Sequence, residues 1–441
     1  MKHHIVRPLM TICRCVRQIA SSVLNGRNIF QFAFNFFINF LPVLVWLMIF
    51  KNAGLLPNEL RPPIHVKFAM TLDEYIFDIF DHPTYAVTFL LLLVTSCGSL
   101  IHFGYRINNI PGSNGGSNHI NNQLPNEDEL ELQLFNIPMD SVLVSELLPP
   151  VLDDPLPPNF IELSNTESAL GQLSNANRSA VRLEDPWPRP LNCWYLAPPI
   201  LAANSWFILN FVDWAKDPIS VSKDILAWFL YVVCHLLAPI FTAIWLYLFQ
   251  PAGALGLFST GLGIQNIGGV LTHLIFPNVP PWYIHFYGKD TIPDYDMPGF
   301  AAGLIRIDMI MGTHINTAGF HISPIVFGAL PSLHSAMAVM IFLFVSHYSR
   351  TTILKVASLI YLMLQWWATI YLDHHWRVDL FVGMLYAIAS FTFLLFSSRG
   401  FAFVERKCIK TRAQSDFTGG STAGMRLFRN TKLQSFFDPY A

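Results

Sequence analysis

The chain has 441 residues, of which 53% are hydrophobic and only 13% are charged. Because soluble domains carry about 25% charged residues, this composition excludes an ordinary soluble protein and predicts a polytopic membrane protein. A net charge of −2 offers no basis for nucleic-acid binding. The six cysteines form no C-x-x-C pair and no metal-ligand spacing, so no zinc site is predicted.

Eight apolar stretches approach the roughly 20 residues that a helix needs to cross a membrane. The third contains Pro198-Pro199, which predicts a kink or a later start, and the fifth is rich in glycine, which predicts a broken or re-entrant helix. We therefore expect an all-α protein with about eight transmembrane helices. The stretches are Ile29–Phe50, Thr84–Phe103, Trp194–Val212, Ile225–Phe249, Ala254–Phe276, Phe327–Val345, Ile353–Leu372 and Val378–Phe396.

The basic residues predict the orientation, because short cytosolic loops are enriched in Lys and Arg. Such residues lie in a tail at 1–28, in the turn between spans six and seven, and in a tail at 399–441. With eight spans these three segments share one side, so we expect both termini in the cytosol. The basic residues are Lys2, Arg7, Arg14, Arg17, Arg27, Arg350, Lys355, Arg399, Arg406, Lys407, Lys410 and Arg412.

The same pattern divides the chain into segments. Residues 29–104 hold two N-terminal transmembrane helices, and 191–398 form the transmembrane catalytic core. Between them, 105–190 are rich in Asn, Ser, Pro, Asp and Glu, which predicts a disordered cytosolic insert. Within the core, 277–330 form a luminal loop with Trp282, Tyr283 and Tyr287, residue types that prefer the lipid–water interface. This loop runs directly into a histidine segment, so we expect it to form the rim of a site.

Two histidine segments at the luminal ends of spans carry the chemistry. His375 and Asp379 are four residues apart, which places both on one face of a helix. A carboxylate bonded to one ring nitrogen fixes the tautomer and leaves the other nitrogen free to attack an electrophile. His334, in Pro331-Ser332-Leu333-His334-Ser335, can then protonate a leaving alcohol and deprotonate an incoming one. A single histidine at a helix end more often only packs, but this combination on one membrane face favours transfer of a phosphorus-bearing group.

Phosphate contacts are predicted from the same region. Ser332, Ser335 and the backbone amides that open span six can hold phosphate oxygens. Arg306 can neutralise charge in the transition state, although a salt bridge with Asp308 or a headgroup contact explains it equally well. Two histidines and a carboxylate suffice without a metal or a cofactor.

Other buried polar residues are interpreted as structural. His235 lies in the middle of a span, where a hydrogen bond between helices is the expected role. The same role is favoured for Gln265, Asn266 and His273 over the binding of an inositol or sugar hydroxyl, while His374 is expected to pack or to form a hydrogen bond. None of these three histidines is predicted to be catalytic.

The histidine segments resemble motifs of the type 2 phosphatidic acid phosphatase superfamily. Its Pro-Ser-x-His motif matches Pro331–His334, and its His-x-x-x-Asp motif matches His375–Asp379, which selects His375 over His374. The first motif of the superfamily, Lys-x6-Arg-Pro, is missing, and Thr369 stands where the third motif has arginine. The resemblance implies a lipid phosphatase-like helical core, and the missing basic residues favour transfer from a phosphodiester over release of phosphate.

A narrower resemblance is to fungal inositol phosphorylceramide synthases and, over longer stretches, to fungal inositolphosphotransferases. It covers nearly the whole chain outside the insert. The stretches that carry it are Pro281-Trp282-Tyr283, Gly303–Asp308, Ser323–Ser335 and Tyr371–His375 for the synthases, and Asn35–Leu55, Gly299–Gly303, Gly424–Phe428 and Phe436–Pro439 for the inositolphosphotransferases.

This resemblance implies a Golgi membrane enzyme of sphingolipid synthesis. It would transfer phosphoinositol from phosphatidylinositol to mannosyl-inositol-phosphorylceramide and release diacylglycerol through a phosphohistidine intermediate. Alternatives are a synthase that uses ceramide as acceptor, a lipid phosphatase, and a non-enzymatic scramblase or partner subunit. Membrane lipids are the expected partners; the sequence identifies no protein partner.

Overall fold

Residues 13–14, 16–17, 19–108, 197–413, 422–428 and 431–437 are described by a computed structural model. The chain divides into two units, Met1–Gly104 with Pro190–Ala441 and Tyr105–Arg189. The predicted insert at 105–190 lies, beyond Asn108, outside the described residues. Among the described residues, β-type backbone pairing occurs only as isolated bridges, which join His65 to Asn278 and Asn278 to Gly328.

The described part of the chain is helical, which confirms the all-α prediction. The helices are α1 (Ile29–Asn39), α2 (Leu41–Asn52), α3 (Phe68–Phe77), α4 (Pro83–Asn108), α5 (Ala197–Trp214), α6 (Val221–Trp228), α7 (His235–Phe249), α8 (Ala254–Ile275), α9 (Pro281–Tyr287), α10 (Leu304–Met311), α11 (Ile315–His321), α12 (Leu333–Tyr348), α13 (Thr352–Tyr371), α14 (Arg377–Phe396), α15 (Phe401–Ala413), α16 (Ala423–Leu427) and α17 (Gln434–Phe437), with 3₁₀ turns at Ala53–Leu55 and Asn58–Leu60 and a π-helical segment at Phe229–Cys234.

Five helical stretches of the described chain are long and apolar enough to cross a membrane, or six if the bent pair α1 and α2 forms one span. Each of the eight predicted stretches contains helix, but residues 327–332 of the sixth precede α12, which has only 16 residues. The chain is a multi-pass membrane protein, and the predicted count of eight spans is not confirmed.

One predicted irregularity is in a different place from that expected. The first span, rather than the fifth, is broken: α1 and α2 meet at an angle of 57°. Pro42 lies in the first turn of α2, where its ring would clash with the continuing helix. The prediction of a break in the fifth span is wrong, because α8 is continuous.

The glycines of α8 allow close packing between helices. A Cβ at Gly263 would approach Pro42 of α2 to 3.0 Å, and one at Gly269 would overlap the side chain of Leu333. In α5, Pro198 and Pro199 lie in the first described turn, and the helix continues from there to Trp214 without a break. Residues 194–196 of the predicted third span lie outside the described residues.

The core of the molecule is built around α12. This helix packs against α13, α14, α8 and α7. It lies closest to α14 at Gly383, where a Cβ would overlap the carbonyl oxygen of Ser332. Because Gly383 allows this contact, the first turns of α12 and α14, which carry His334 and Asp379, lie side by side.

The described terminal segments meet at the opposite end of the bundle. Arg426 donates a hydrogen bond to the carbonyl of Ser22 at 2.7 Å. His347, in the last turn of α12, lies 2.6 Å from a carboxylate oxygen of Glu405. Since His334 is in the first turn of the same helix, the terminal segments lie at the other end of the bundle from the histidine segments.

The segment at 277–330 is anchored by a buried carboxylate. Asp308 accepts hydrogen bonds from the backbone and side chains of Asn316 and Thr317, which open α11. Burial by itself raises the pKa of Asp308, but these hydrogen bonds favour the charged form and hold it at about 2. Asp308 therefore joins α10 to α11 and is not an ion-pair partner of Arg306.

Candidate active site

A cavity of about 320 Å³ opens at the histidine end of the bundle. Its lining is largely apolar but contains five histidines, and none of the described residues that line it is Lys or Arg. The lining residues are Trp46, Leu47, Phe50, Tyr231, His235, Asn266, His273, Pro280, Trp282, Gly299, Phe300, Phe320, Ser323, Ile325, Val326, Gly328, Ala329, Leu333, His334, Met337, His374 and His375.

His375 lies in the loop that leads into α14, with its side chain 9% exposed. Its Nδ1 lies 3.1 Å from the carbonyl oxygen of Ala329. A carbonyl only accepts hydrogen bonds, so Nδ1 must carry the proton and Nε2 carries the lone pair in the neutral ring. The loop thus presents His375 to the cavity in the tautomer that a nucleophile needs.

Asp379 supports His375 differently from the sequence prediction. Its Oδ2 lies 3.6 Å from Nδ1 of His375, which is too long for a hydrogen bond. The same oxygen accepts a hydrogen bond of 2.9 Å from the amide of Trp376. Asp379 is fully buried, and its Oδ1 has no hydrogen-bond partner among the described residues. The carboxylate therefore acts on His375 by charge, while the Ala329 carbonyl sets the tautomer.

This geometry predicts a moderate effect for Asp379→Asn. The Ala329 carbonyl still fixes the tautomer of His375, so we expect the turnover rate to fall about 10- to 100-fold, as when a supporting hydrogen-bond partner is lost. Where a carboxylate alone orients the ring, the fall is roughly 10⁴-fold. The measurement is the turnover rate of the variant relative to the wild type, with the exposed Asp290→Asn as control. A fall of more than about 1,000-fold would contradict this division of roles.

His334 lies in the first turn of α12, beside His375. The centroids of the two imidazole rings are 5.7 Å apart. Tyr231 stacks on His334 at 4.3 Å, and the ring of His235 lies 4.1 Å away. A general acid must reach the atom that it protonates, and this spacing lets one phosphorus centre lie against both histidines.

Tyr231 and His235 are parts of the site that sequence reasoning missed. Tyr231 lies in the π-helical segment, and His235 directly follows it. Such π-helical turns inside α-helices are frequent at functional sites. Tyr231 also stacks on His374, which in turn stacks on Phe320. The signal in the sequence was an ionisable residue inside an apolar span, which by default indicates function.

A family model described as the PAP2 superfamily matches residues 199–393, which contain both histidine segments. Inositolphosphotransferase 1 of Saccharomyces cerevisiae is 31% identical to this chain, in an alignment that covers 98% of this chain and 99% of the relative. This chain belongs to the inositolphosphotransferase family of the PAP2 superfamily. As a member of this family it is an enzyme, a phosphotransferase.

Other relatives match only part of the chain. The inositol phosphorylceramide synthase catalytic subunit aur1 of Schizosaccharomyces pombe is 43% identical over 38% of this chain and 40% of its own length. The phosphoinositol dihydroceramide synthase of Bacteroides thetaiotaomicron is 30% identical over 39% of this chain and 57% of its own length. No solved structure gives a significant match.

The predicted phosphate-binding serines of this inositolphosphotransferase homologue lie beside the cavity, but their hydroxyls hold helices together. Ser332 caps α12 by accepting a bond from the amide of Ser335 at 3.3 Å. The hydroxyl of Ser335 donates to the carbonyl of Leu380 at 2.6 Å and accepts from the indole of Trp366 at 2.8 Å. A phosphate contact from either serine remains a prediction.

Arg306 does not line the cavity. Its Nε donates a hydrogen bond of 2.8 Å to Asp224, and its guanidinium lies over the ring of Tyr371. Nη2 also lies 2.7 Å from the same oxygen of Asp224, although without hydrogen-bond geometry. The protein partner of Arg306 is thus Asp224 rather than Asp308, and a catalytic role or a headgroup contact for Arg306 remains a prediction.

Arg377 positions the start of α14. Its guanidinium donates to Asp73 of α3 at 2.8 and 3.0 Å and to the amide oxygen of Asn210 at 2.9 Å. Asp73 also accepts from the amide of Val378 at 2.8 Å. Burial outweighs these contacts and raises the pKa of Asp73 to about 6. Arg377, two residues after His375, thereby joins α3, α5 and α14 through its hydrogen bonds.

A second, more polar compartment of about 290 Å³ adjoins the catalytic cavity. The two share His273, Ser323, Ile325 and Val326 in their linings. The polar groups found only in the second compartment are held by one another or by the backbone. Asn58 donates to Asp296 at 2.9 Å, Arg61 lies over the ring of Tyr295, and Tyr295 donates to the carbonyl of Pro62 at 2.7 Å.

Proposed function

We propose that this enzyme transfers phosphoinositol from phosphatidylinositol to mannosyl-inositol-phosphorylceramide, giving mannosyl-diinositol-phosphorylceramide and diacylglycerol. The observation that carries the proposal is the 31% identity to Inositolphosphotransferase 1 across 98% of this chain. The partial relatives named above are an inositol phosphorylceramide synthase subunit and a phosphoinositol dihydroceramide synthase, so the coarser activity, transfer of inositol phosphate in sphingolipid metabolism, has the broader support.

The first half-reaction forms a phosphohistidine. Nε2 of His375 attacks the phosphorus of phosphatidylinositol, and the bond from phosphorus to the glycerol oxygen breaks. Protonated His334 gives its proton to that oxygen, so diacylglycerol leaves as a neutral alcohol. The modified ring of His375 gains positive charge, which the Ala329 carbonyl and the carboxylate of Asp379 stabilise.

The second half-reaction restores the enzyme. Neutral His334 takes the proton of an acceptor hydroxyl, whose oxygen attacks the phosphorus, and the bond from phosphorus to Nε2 of His375 breaks. His334 ends protonated and His375 neutral, as at the start, so one cycle consumes no proton. No metal or cofactor is needed for either step.

The polar compartment supports a sugar-bearing acceptor over bare ceramide. A hexose or inositol headgroup offers many hydroxyls, which suit a carboxylate, an amide and a tyrosine ring held in place before the ligand arrives. Asp296, Asn58 and Tyr295 supply these groups beside the catalytic cavity. The ceramide hydroxyl would need no such compartment.

The experiment supplies purified enzyme in lipid with labelled phosphatidylinositol and, separately, mannosyl-inositol-phosphorylceramide, ceramide or water as acceptor. We expect product on the mannosylated lipid. Product only on ceramide supports the synthase alternative, and free inositol phosphate as the main product supports a phosphatase. Lipid scrambling that survives His375→Ala, with no transfer to any acceptor, supports the non-enzymatic alternative.

The compartment makes a prediction about the acceptor. Asp296→Ala and Asn58→Ala should each raise KM for the mannosylated lipid about 10-fold, because each variant loses a hydrogen bond to the acceptor. Neither variant should change diacylglycerol release in the first half-reaction. Glu59→Ala is the matched control, since Glu59 neighbours Asn58 but does not line the compartment. Unchanged KM in both variants would remove the support for a sugar-binding role.

We also propose that the cavity faces the Golgi lumen and that both termini are cytosolic. The bias of basic residues supports this orientation, and so does the position of the terminal segments at the end of the bundle away from His334. The test is protease digestion of a C-terminal tag in sealed Golgi vesicles. A protected tag would exclude the proposed orientation.

A further inference from the structure

We propose that His235, together with His334, binds the anionic phosphodiester of the substrate, in place of the Lys and Arg side chains of the superfamily motifs that this chain lacks. This inference rests on the proposed function, since it concerns the phosphodiester of that reaction. It adds a phosphate-binding residue that the sequence motifs do not contain.

The first observation is the absence of a permanent cation from the cavity. A phosphodiester carries one negative charge, and an unpaired charge in an apolar cavity costs several kcal/mol. None of the described lining residues is Lys or Arg. The nearby guanidinium groups have other partners: Arg306 pairs with Asp224, Arg377 with Asp73, and Arg61 donates to the carbonyl of Leu56. An imidazolium is the remaining source of positive charge among the lining side chains.

The second observation is the state of His235. Its Nδ1 is buried and has no hydrogen-bond partner among the described residues. Leaving such a buried atom without a hydrogen bond is unfavourable, so its retention calls for an explanation. The ring lies 4.1 Å from that of His334 and lines the same cavity. A bound phosphate oxygen would give the imidazolium of His235 the partner that it lacks.

The other histidines of the cavity are less suited to this role. Nε2 of His273 is bonded to the carbonyl of Pro331 at 2.8 Å. His374 also has an unpaired buried nitrogen, but its ring is packed between Phe320 and Tyr231. His375 is the proposed nucleophile and must stay neutral to attack.

The surroundings of His235 set the pH behaviour. The titratable groups packed near it are Tyr231 and Cys234 on the same helix, His334 on α12, His273 on α8, Tyr361 on α13, and His374 and His375 before α14, with the carboxylate of Asp379 behind His375. None of these groups gives His235 a direct ionic partner in the described structure. We therefore expect the substrate to bind with uptake of one proton, which is released when the product leaves.

The test measures how tightly a non-cleavable phosphonate analogue of phosphatidylinositol inhibits diacylglycerol release between pH 6 and 8. If binding takes up one proton, the inhibition constant of the wild-type enzyme should increase by as much as about 10-fold for each unit by which the pH is raised. His235→Gln should bind the analogue about 10-fold more weakly at pH 6, equivalent to about 1.4 kcal/mol, and with a flatter pH dependence. His235→Lys carries a permanent cation and should restore tight binding without pH dependence.

The control is His314→Gln, an exposed histidine that does not line the cavity and should behave as the wild type. An inhibition constant for His235→Gln within 2-fold of the wild type at every pH overturns the inference. So does a wild-type constant that does not change with pH, a result that stands even if His235→Gln fails to fold. If the wild-type enzyme releases no diacylglycerol from phosphatidylinositol, the proposed function itself has failed.

Discussion

Replacing His375 by glutamine should abolish transfer, with a fall in the turnover rate of about 10⁴-fold or more, as when a covalent nucleophile is removed. Glutamine can still donate a hydrogen bond to the carbonyl of Ala329, so the loop before α14 should keep its conformation. It has no nucleophilic nitrogen, however, and no phosphohistidine can form. Both half-reactions should stop together.

The measurement is diacylglycerol release from labelled phosphatidylinositol, with and without acceptor. The matched control is His374→Gln, because the neighbouring histidine is packed between Phe320 and Tyr231 and should cost far less activity. A quench with base should trap labelled phosphoinositol on the wild-type enzyme and not on His375→Gln. If His374→Gln is the inactive variant, the assignment of the nucleophile is wrong.

His334→Gln should lower the turnover rate with phosphatidylinositol by about 10²- to 10⁴-fold, the range for loss of a general acid. The effect should depend on the leaving group. Diacylglycerol needs a proton as it leaves, whereas a 4-nitrophenyl ester of inositol phosphate releases a stable phenolate. With that ester the variant should form the phosphohistidine at nearly the wild-type rate and then stall, because the acceptor hydroxyl has no base.

The measurement is the burst of 4-nitrophenol, one equivalent per enzyme, followed by slow turnover. His375→Gln is the control, since it should show no burst with either substrate. A variant of His334 that loses the burst as completely as His375→Gln would show that His334 does not act as the acid. It would instead indicate that His334 has a role in substrate binding or in folding. A thermal unfolding measurement on the variant distinguishes these two roles.

Much of this site was predictable because its signals are local. Charged and ring-nitrogen groups are costly near lipid, so His334, His375 and Asp379 stood out against apolar spans. The spacing of His375 and Asp379 follows from helical geometry alone, as does the position of each span from its run of apolar residues. These properties depend on neighbours within a few residues along the chain.

Other features depend on contacts between distant residues. The partner of Nδ1 of His375 is the carbonyl of Ala329, 46 positions away, rather than Asp379. Arg306 pairs with Asp224, 82 positions away, and not with Asp308 two residues along the chain. The hydroxyl of Ser335 is used by Leu380 and Trp366 on two other helices. Periodicity and spacing carry no information about such pairs.

The sequence by itself predicted a helical membrane phosphotransferase and singled out two histidines and a carboxylate as its candidate site, because hydropathy and helical spacing are properties of short segments. Only the tertiary structure decided that α8 runs unbroken, that the cavity has no Lys or Arg in its described lining, and that His235 lies against His334. These features depend on packing, because the free-energy cost of a buried charge or of an unpaired nitrogen depends on the groups that surround it in space.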